Sequence, residues 1–183
     1  MRILAIGLLA VLAPLAQARA AEFMLGSSDI DPATALAQTF VYQGFGCSGD
    51  NRSPALRWSG APSQTRSFAL TVYDPDAPTG SGWWHWVVVN LPATTQALPQ
   101  GAGDAAGTGL PDGALQIRTD FGVPGYGGPC PPPGDTAHRY IVTLYALKTE
   151  HLDLTADVSA AMAGFMIKAN AIAQTQFEVR YGR

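Results

Sequence analysis

Two segments rich in glycine and proline hold the side chains of this sequence that could do chemistry. The first, DPDAPTGSGWWHW, begins at Asp74 and contains His85. The second, GYGGPCPPPGDTAHRY, ends with His138 and Tyr140 two positions apart. Histidine, the tyrosine hydroxyl and backbone N–H groups can all donate hydrogen bonds. Such a set favours a site for an oxyanion, namely a phosphate, a carboxylate or a sulfate.

The segments next to these residues predict the strands that would position them. Asp74 directly follows one segment rich in β-branched and aromatic residues, and His85 directly precedes another. If the two strands are neighbours, both side chains lie at the same end of a sheet. Period-two alternation places His138 and Tyr140 on one face of a third strand. The predicted strands are residues 67–73, 86–91 and 139–146, with weaker candidates at 23–25, 40–42 and 55–58.

Residues 86–91 are almost continuously apolar, which predicts a strand that is buried on both faces. Proline fixes the backbone of the flanking loops, and glycine lets main-chain N–H groups approach a ligand closely. A pocket built from such loops is preformed, so little entropy is lost on binding. Loops held by a rigid sheet are also where binding sites tend to occur.

A single amphipathic helix is predicted near the C-terminus. Thr155 is its candidate N-cap, and Asp157 in the first turn suits the helix dipole. Apolar residues then recur at three- and four-residue spacing, which predicts the face that packs on a sheet. They are Val158, Ala161, Met162, Phe165, Met166, Ala169, Ile172 and Ala173. The sequence therefore predicts a mainly β protein with a C-terminal helix and a few short helices.

Composition narrows the classes of partner. Of the 183 residues, 47% are hydrophobic and 14% are charged, which is enough apolar material for a core. The formal net charge is −3 and there is no basic run, so nucleic acid and anionic membrane surfaces are poor candidates as partners.

Residues 1–20 are typical of a secretory signal peptide. Arg2 supplies the positive start, residues 3–15 are an apolar stretch, and Ala18-Arg19-Ala20 resembles a cleavage site. We therefore expect residues 21–183 to form a single domain that is exported to the periplasm or secreted. No later segment is long and apolar enough to predict a membrane span.

The chain has two cysteines, Cys47 and Cys130. An exported protein folds in an oxidising compartment, which favours a disulfide between them. Two buried free thiols are the alternative, because a sequence does not show whether the two Cα atoms approach each other.

The motifs DPDAP, GWWHW, the GPCPPPG loop and HRY, in this order, resemble the phosphatidylethanolamine-binding protein family. GCSGDNRSPALRW and YGGPCPPPGD are similar to its bacterial Raf-kinase-inhibitor-like branch in particular. The resemblance runs from about Phe23 to Arg183. It implies a β-sandwich of a large central sheet and a smaller sheet.

The resemblance also implies a small anion pocket and its residues. Asp74, His85, His138 and Tyr140 match the lining of the pocket in the family. The remaining matches are Gly128 and Pro129 in its Gly-Pro wall, and Pro78 and Trp83 at its rim. Asp76 matches an aspartate expected to hold the loop, while residues 131–133 cannot be assigned individually because the loop is longer here.

The function implied is that of a binding protein, with no cofactor and no catalytic residue. Its ligand would be a small molecule bearing a phosphate or carboxylate, or a protein partner that presents such a group. We expect the histidines to donate to the anion and Asp74 to orient one histidine and favour its charged form.

Two enzyme classes are the alternatives. Two histidines and an aspartate form a nominal facial triad for iron or zinc, but no signature such as HExxH accompanies them. A hydrolase would need a GxSxG elbow, which is absent, or Cys47 as nucleophile, which a disulfide would block. Asp120-Phe121-Gly122 spells the kinase metal-binding triplet without the other kinase motifs, and is interpreted as coincidence.

Overall fold

A computed structural model describes residues 21–31 and 33–183 of the chain. The predicted signal peptide, residues 1–20, lies outside the described residues. The strands are β1 Met24–Ser27, β2 Gln43–Gly44, β3 Cys47–Ser48, β4 Leu56–Ser59, β5 Ser67–Asp74, β6 Trp83–Pro92, β7 Ala97–Leu98, β8 Leu115–Gln116, β9 His138–Leu147 and β10 Ala171–Tyr181. The α-helix, α1, is Ala160–Asn170, and Gln38–Phe40 forms a 3₁₀ turn.

A five-stranded antiparallel sheet with the order β10-β9-β5-β6-β8 forms the centre of the molecule. A three-stranded sheet, β1-β4-β7, covers one face of it, and α1 covers the other. The strands β2 and β3 form a separate hairpin. The predicted fold, a mainly β structure with a large sheet, a smaller sheet and a C-terminal helix, is therefore confirmed.

Strand β6 shows why the central sheet is buried on both faces. Val88 packs into the core between the two sheets, whereas Val87 and Val89 pack into the core beneath α1. All three side chains are fully buried. The continuous apolar run of the sequence thus contributes side chains to the cores on both faces of the central sheet, as predicted.

The strand predicted at residues 40–42 is wrong. Phe40 ends the 3₁₀ turn, and the next residues run through a loop. Phe40 and Val41 are buried anchors of that loop. Their carbonyls accept hydrogen bonds from the Tyr126 hydroxyl and from the Asn51 N–H instead of joining a sheet.

The predicted start of the helix is also wrong. The N-cap is Ser159, whose hydroxyl accepts the N–H of Met162, and not Thr155. The buried face consists of small residues and one isoleucine: Ala160, Ala163, Gly164 and Ile167. The predicted face is largely solvent-exposed, with Phe165 67% and Met162 51% exposed.

The physical reason lies in the tryptophan beneath the helix. The indole of Trp84 packs so close to Gly164 that a Cβ there would lie 3.3 Å from it. A bulky residue facing the sheet at this point would collide with the indole, so the small face turns inward.

The helix ends at Asn170, before the end of the predicted apolar face. Ile172 and Ala173 belong to β10, the edge strand that pairs with β9. The backbone N–H and the side-chain ammonium of Lys148 bind the carbonyls of Asn170 and Ala169 at the helix end. The chain is therefore held beside β9 just where it changes from helix to strand.

A disulfide joins Cys47 to Cys130, with their Cα atoms 6.0 Å apart, so the predicted bridge is confirmed. It links β3 to the proline-rich loop before β9. Among the described residues, no helix combines the length and the apolar character needed to cross a membrane.

The inward face of α1 can be tested with a matched pair of substitutions. Ile167→Ala removes a fully buried side chain, so the free energy of unfolding should fall by about 2–5 kcal/mol. Phe165→Ala truncates an exposed side chain and should change it by no more than about 0.5 kcal/mol. Chemical denaturation measures both, and a larger loss for Phe165→Ala would contradict this orientation of the helix.

Loss of the disulfide should destabilise the fold. The bridge closes a loop across 83 positions, so Cys47→Ser/Cys130→Ser should lower the free energy of unfolding by about 2–5 kcal/mol. The wild type in reductant should match the double variant, and reductant should not affect the double variant further. Equal stability of the oxidised wild type and the double variant would refute this.

Candidate functional site

A cavity of about 150 Å³ opens at the end of the central sheet where β5 ends and β6 and β9 begin. A cavity of about this volume can hold a benzene-sized molecule. It has a polar floor and an apolar rim. The lining residues are Phe45, Asp74, Ala77, Pro78, Thr79, Trp83, His85, Phe121, Cys130, Pro131, Pro132, His138 and Tyr140.

Asp74, the last residue of β5, is a buried carboxylate with every oxygen engaged. Its Oδ1 accepts the backbone N–H groups of Asp76 and Ala77, at 2.8 and 3.1 Å. Its Oδ2 lies 2.8 Å from Nδ1 of His138 on β9. The carboxylate therefore fixes the DPDAP turn and orients a histidine on the next strand.

Asp76 holds the same turn from outside. It receives the backbone N–H of Arg139 at 2.9 Å and binds the guanidinium of that residue through both carboxylate oxygens. These hydrogen bonds lower the pKa of Asp76 to about 2. The side chain of Asp76 does not line the cavity, so its role lies in the loop.

His138 lies on the cavity floor and is almost completely buried. Burial by itself would lower its pKa, but the hydrogen bonds and negative charges of Asp74 and Asp135 outweigh burial and raise it. The Asp135 carboxylate lies 3.4 Å from Nε2. His138 is thus the histidine that is held toward its charged form.

His85 occupies a β-bulge of β6. Val72 pairs with Trp86 and Tyr73 with Trp84, so His85 is an extra residue between the pairs. Bulges of this kind re-aim a side chain. Trp86 accordingly packs between the two sheets while Trp84 packs beneath α1.

The ring of His85 is held by one residue of the opposite loop. Its Nδ1 lies 2.7 Å from the carbonyl oxygen of Gly127, and the Gly127 N–H donates to the His85 carbonyl at 2.8 Å. Burial lowers the pKa of His85 to about 4. The ring is therefore neutral and carries its proton on Nδ1, since a carbonyl only accepts hydrogen bonds.

Two buried polar atoms of the floor lack a partner among the described residues. They are His85 Nε2 and the Tyr140 hydroxyl oxygen. Burial, and then the charge of Asp74, raise the pKa of Tyr140, so its hydroxyl keeps its proton. A buried polar group without a hydrogen bond is unfavourable, which marks these atoms as places where a ligand can bind.

The rim of the cavity is aromatic. The ring of Phe121 stacks on Tyr42 with centroids 4.3 Å apart and makes edge-to-face contacts with Trp83 and His85 at 5.4 Å each. Phe45 is 69% exposed beside it. Neither Phe121 nor Phe45 was predicted from the sequence to line the pocket. The Asp-Phe-Gly triplet, interpreted above as coincidence, was the sequence feature that contained Phe121, and here this phenylalanine lines the pocket.

The rim is fixed to the opposite wall in two ways. Cys130 lines the cavity and is bridged to Cys47, two residues after Phe45. The guanidinium of Arg183 donates to the carbonyls of Pro131, Gly46 and Phe45, at 2.7, 2.9 and 3.2 Å. Both contacts join the hairpin that carries Phe45 to the proline-rich loop.

Among the residues expected from the sequence, the structure brings Asp74, His85, His138, Tyr140, Trp83 and Pro78 together around the cavity. Gly128 and Pro129 differ from the expectation, because they are not among the residues that line the cavity. A Cβ at Gly128 would come within 2.1 Å of a backbone carbonyl, and the Pro129 carbonyl accepts the Tyr42 N–H. Pro131 and Pro132 take the place at the wall.

Within residues 21–31 and 33–183 there is no group of three or more His, Cys, Asp or Glu side chains arranged to hold a metal ion. In the nominal triad of Asp74, His85 and His138, both oxygens of Asp74 are already engaged: Oδ1 accepts two backbone N–H groups and Oδ2 binds His138 itself. Cys47 is bridged and so is not a free nucleophile.

Comparison with known proteins agrees with this architecture. The sequence model described as phosphatidylethanolamine-binding protein matches residues 26–182. The chain belongs to the phosphatidylethanolamine-binding protein family.

Similar members of the phosphatidylethanolamine-binding protein family occur in Escherichia coli K12. The UPF0098 protein YbcL is 52% identical over 164 residues, which cover 90% of each chain. The UPF0098 protein YbhB is 50% identical over 155 residues, which cover 85% of this chain and 97% of YbhB. In Mycobacterium tuberculosis H37Rv, a protein named as a lipoprotein, LppC, is 36% identical over 130 residues, 71% of this chain and 57% of LppC.

Solved structures of the phosphatidylethanolamine-binding protein family have the same fold. The crystal structure of E. coli YbcL matches with a TM-score of 0.87, covering 89% of this chain and 99% of YbcL. A protein from Chlamydia trachomatis, described as a phosphatidylethanolamine-binding protein homologue, is 27% identical. It matches with a TM-score of 0.72, covering 88% of this chain and 97% of its own.

The charge state of this phosphatidylethanolamine-binding protein pocket can be tested through Asp74. Asp74→Asn removes the charge that faces His138, so the pKa of His138 should fall because its burial is then less opposed. NMR titration of the histidine ring signals measures this, with the exposed His151 as reference. In the wild type, His85 should stay neutral above about pH 5. An unchanged pKa of His138 in the variant would contradict the role of Asp74.

Proposed function

We propose that the chain is an exported binding protein, without catalytic activity, whose pocket captures a small ligand bearing a phosphate or a carboxylate. One observation carries the proposal. A small cavity has unpartnered buried polar atoms and a histidine held toward its charged form at its floor, beneath an apolar rim. Such an arrangement suits a ligand with a polar head and a small apolar substituent.

The donors of the floor have separate roles in this proposal. His138, when charged, donates from Nε2 to an anion oxygen, and the Tyr140 hydroxyl donates to another. The exposed carboxylate of Asp135 lies 3.4 Å from the same nitrogen and would have to turn toward solvent when a ligand binds. Asp74 supplies the countercharge that favours the protonated form of His138. Because His85 has its proton on Nδ1, it does not donate to the anion, in contrast to the expectation from the sequence.

Several features support export. Residues 1–20 have the composition of a secretory signal peptide, and disulfides such as Cys47–Cys130 form in oxidising compartments. The relative LppC is named as a lipoprotein. We place the protein in the periplasm or outside the cell, with residues 21–183 as one domain.

A protein partner that presents an anionic group would use the same pocket. It would reach the floor past Phe45, which is the most exposed aromatic side chain of the rim. In this form of the proposal the rim contacts the partner while His138 and Tyr140 receive its anion.

The affinity for inorganic phosphate should rise as pH falls from about 8 to about 5, through the histidine range. The sign follows from His138: as its raised pKa is crossed, the ring gains a positive charge and a donor at Nε2. Isothermal titration calorimetry across this range measures the effect.

His138→Gln should weaken binding and remove the contribution of the protein to the pH dependence, leaving only the titration of phosphate itself. His151→Gln, in the loop beyond the C-terminal end of β9, is the matched control and should behave as the wild type. A phosphate affinity of the wild type that stays constant or weakens toward low pH would contradict the proposal.

A further inference from the structure

We infer that the pocket selects a ligand whose acid group still carries a proton, so that it binds a monoprotonated phosphoryl group and rejects anions and esters that have no proton to donate. This inference rests on the proposed function of the pocket and narrows its ligand class. It follows from the hydrogen-bonding sense of one buried atom, His85 Nε2.

The geometry around His85 decides whether Nε2 donates or accepts a hydrogen bond. The Gly127 carbonyl oxygen lies 2.7 Å from Nδ1 of His85 and can only accept a hydrogen bond, so Nδ1 bears the proton. The opposite nitrogen, Nε2, is then a lone-pair acceptor. It is buried and no described residue donates to it.

The His85 ring stays neutral, so Nε2 does not gain a proton and remains an acceptor. His85 is 3% exposed, and burial lowers its pKa to about 4. The acidic groups that favour its charge, Asp74 and Asp120, are both already bound: Asp74 to His138, and Asp120 to the backbone N–H of Trp84 at 2.7 Å.

The other polar groups of the floor are hydrogen-bond donors, whereas His85 Nε2 is an acceptor. The Tyr140 hydroxyl and the charged form of His138 can donate, so they suit bare anion oxygens. The floor is therefore complementary to a ligand that has ionised oxygens on one side and a hydrogen-bond donor on the other. A monoprotonated phosphoryl group has both, as P–O⁻ and P–O–H.

A fully ionised anion would place a lone pair against the lone pair of His85 Nε2. A buried acceptor left without a donor costs enough to weaken binding about ten- to hundredfold. The same logic disfavours a phosphodiester, since both of its ester oxygens are capped by carbon.

The test compares four probes by isothermal titration calorimetry on the disulfide-bonded protein without its first twenty residues, at about pH 5.5, where a phosphomonoester largely keeps one proton. Inorganic phosphate and methyl phosphate then carry a proton, while sulfate and dimethyl phosphate do not. Methyl and dimethyl phosphate have the same charge under these conditions, so charge alone does not separate them. Sulfate controls for size, because it is as small as phosphate.

We expect phosphate and methyl phosphate to bind about ten- to hundredfold more tightly than sulfate and dimethyl phosphate. The ratio between phosphate and methyl phosphate distinguishes a free ion from an ester as the preferred source of the group. Sulfate binding as tightly as phosphate would overturn the inference and leave anion binding intact. Failure of all four probes to bind would overturn the proposed capture of a phosphate group together with the inference.

His85→Phe keeps a ring but removes the acceptor, so the preference for phosphate over sulfate should fall toward one. His151→Gln is the control and should keep the preference. Should His85→Phe fail to fold, ¹⁵N NMR of the wild-type histidine rings decides the matter. It should show His85 protonated on Nδ1 only, with an Nε2 signal that moves on adding phosphate and not on adding sulfate. A proton found on Nε2 in the free protein would refute the inference.

Discussion

The pocket depends on one buried carboxylate. A carboxylate that is removed from water is costly unless donors surround it, and Asp74 has three: two backbone N–H groups of its own turn and one histidine nitrogen. Those three bonds tie the end of β5, the DPDAP turn and the start of β9 to a single point. The turn then carries Pro78 to one side of the cavity, and β9 carries His138 and Tyr140 to its floor.

The floor and the rim of the pocket are built on different kinds of structure. The polar atoms of the floor are held by strands, and so they are placed by the register of a rigid sheet. The rim is held by loops, which are themselves fixed by the disulfide and by Arg183. Little of the pocket would need to be ordered on binding a ligand, so little binding free energy would be lost to ordering. The β-bulge at His85 adds the one irregularity that the floor requires, since regular alternation would have placed Trp84 and Trp86 on the same face.

The sequence was sufficient for those parts of the site that depend on short-range order. Asp74 and His85 flank one connection between two strands, so their meeting at one end of the sheet could be predicted from their positions alone. The proton position of His85 could not, because it depends on the Gly127 carbonyl 42 residues away. The face of α1 was predicted wrongly for a related reason: apolar periodicity favoured Met162 and Phe165, while the packing of Trp84 required small residues. Strand β10 was missed because its alanine-rich start continues the apolar pattern of the helix, although Thr175, Phe177 and Val179 alternate as in a strand.

The disulfide also divides the molecule mechanically. The bridge between Cys47 and Cys130 encloses β5 and β6, so a force that stretches the chain between its ends cannot extend that part while the bridge is intact. The segment that follows Cys130 has no such protection, and it contains β9, α1 and β10. Asp74 and His85 therefore belong to the locked part of the chain, and His138 and Tyr140 to the part that can be pulled away. Under such a force His138 and Tyr140 would separate from Asp74 and His85, because only Asp74 and His85 lie inside the loop that the disulfide closes.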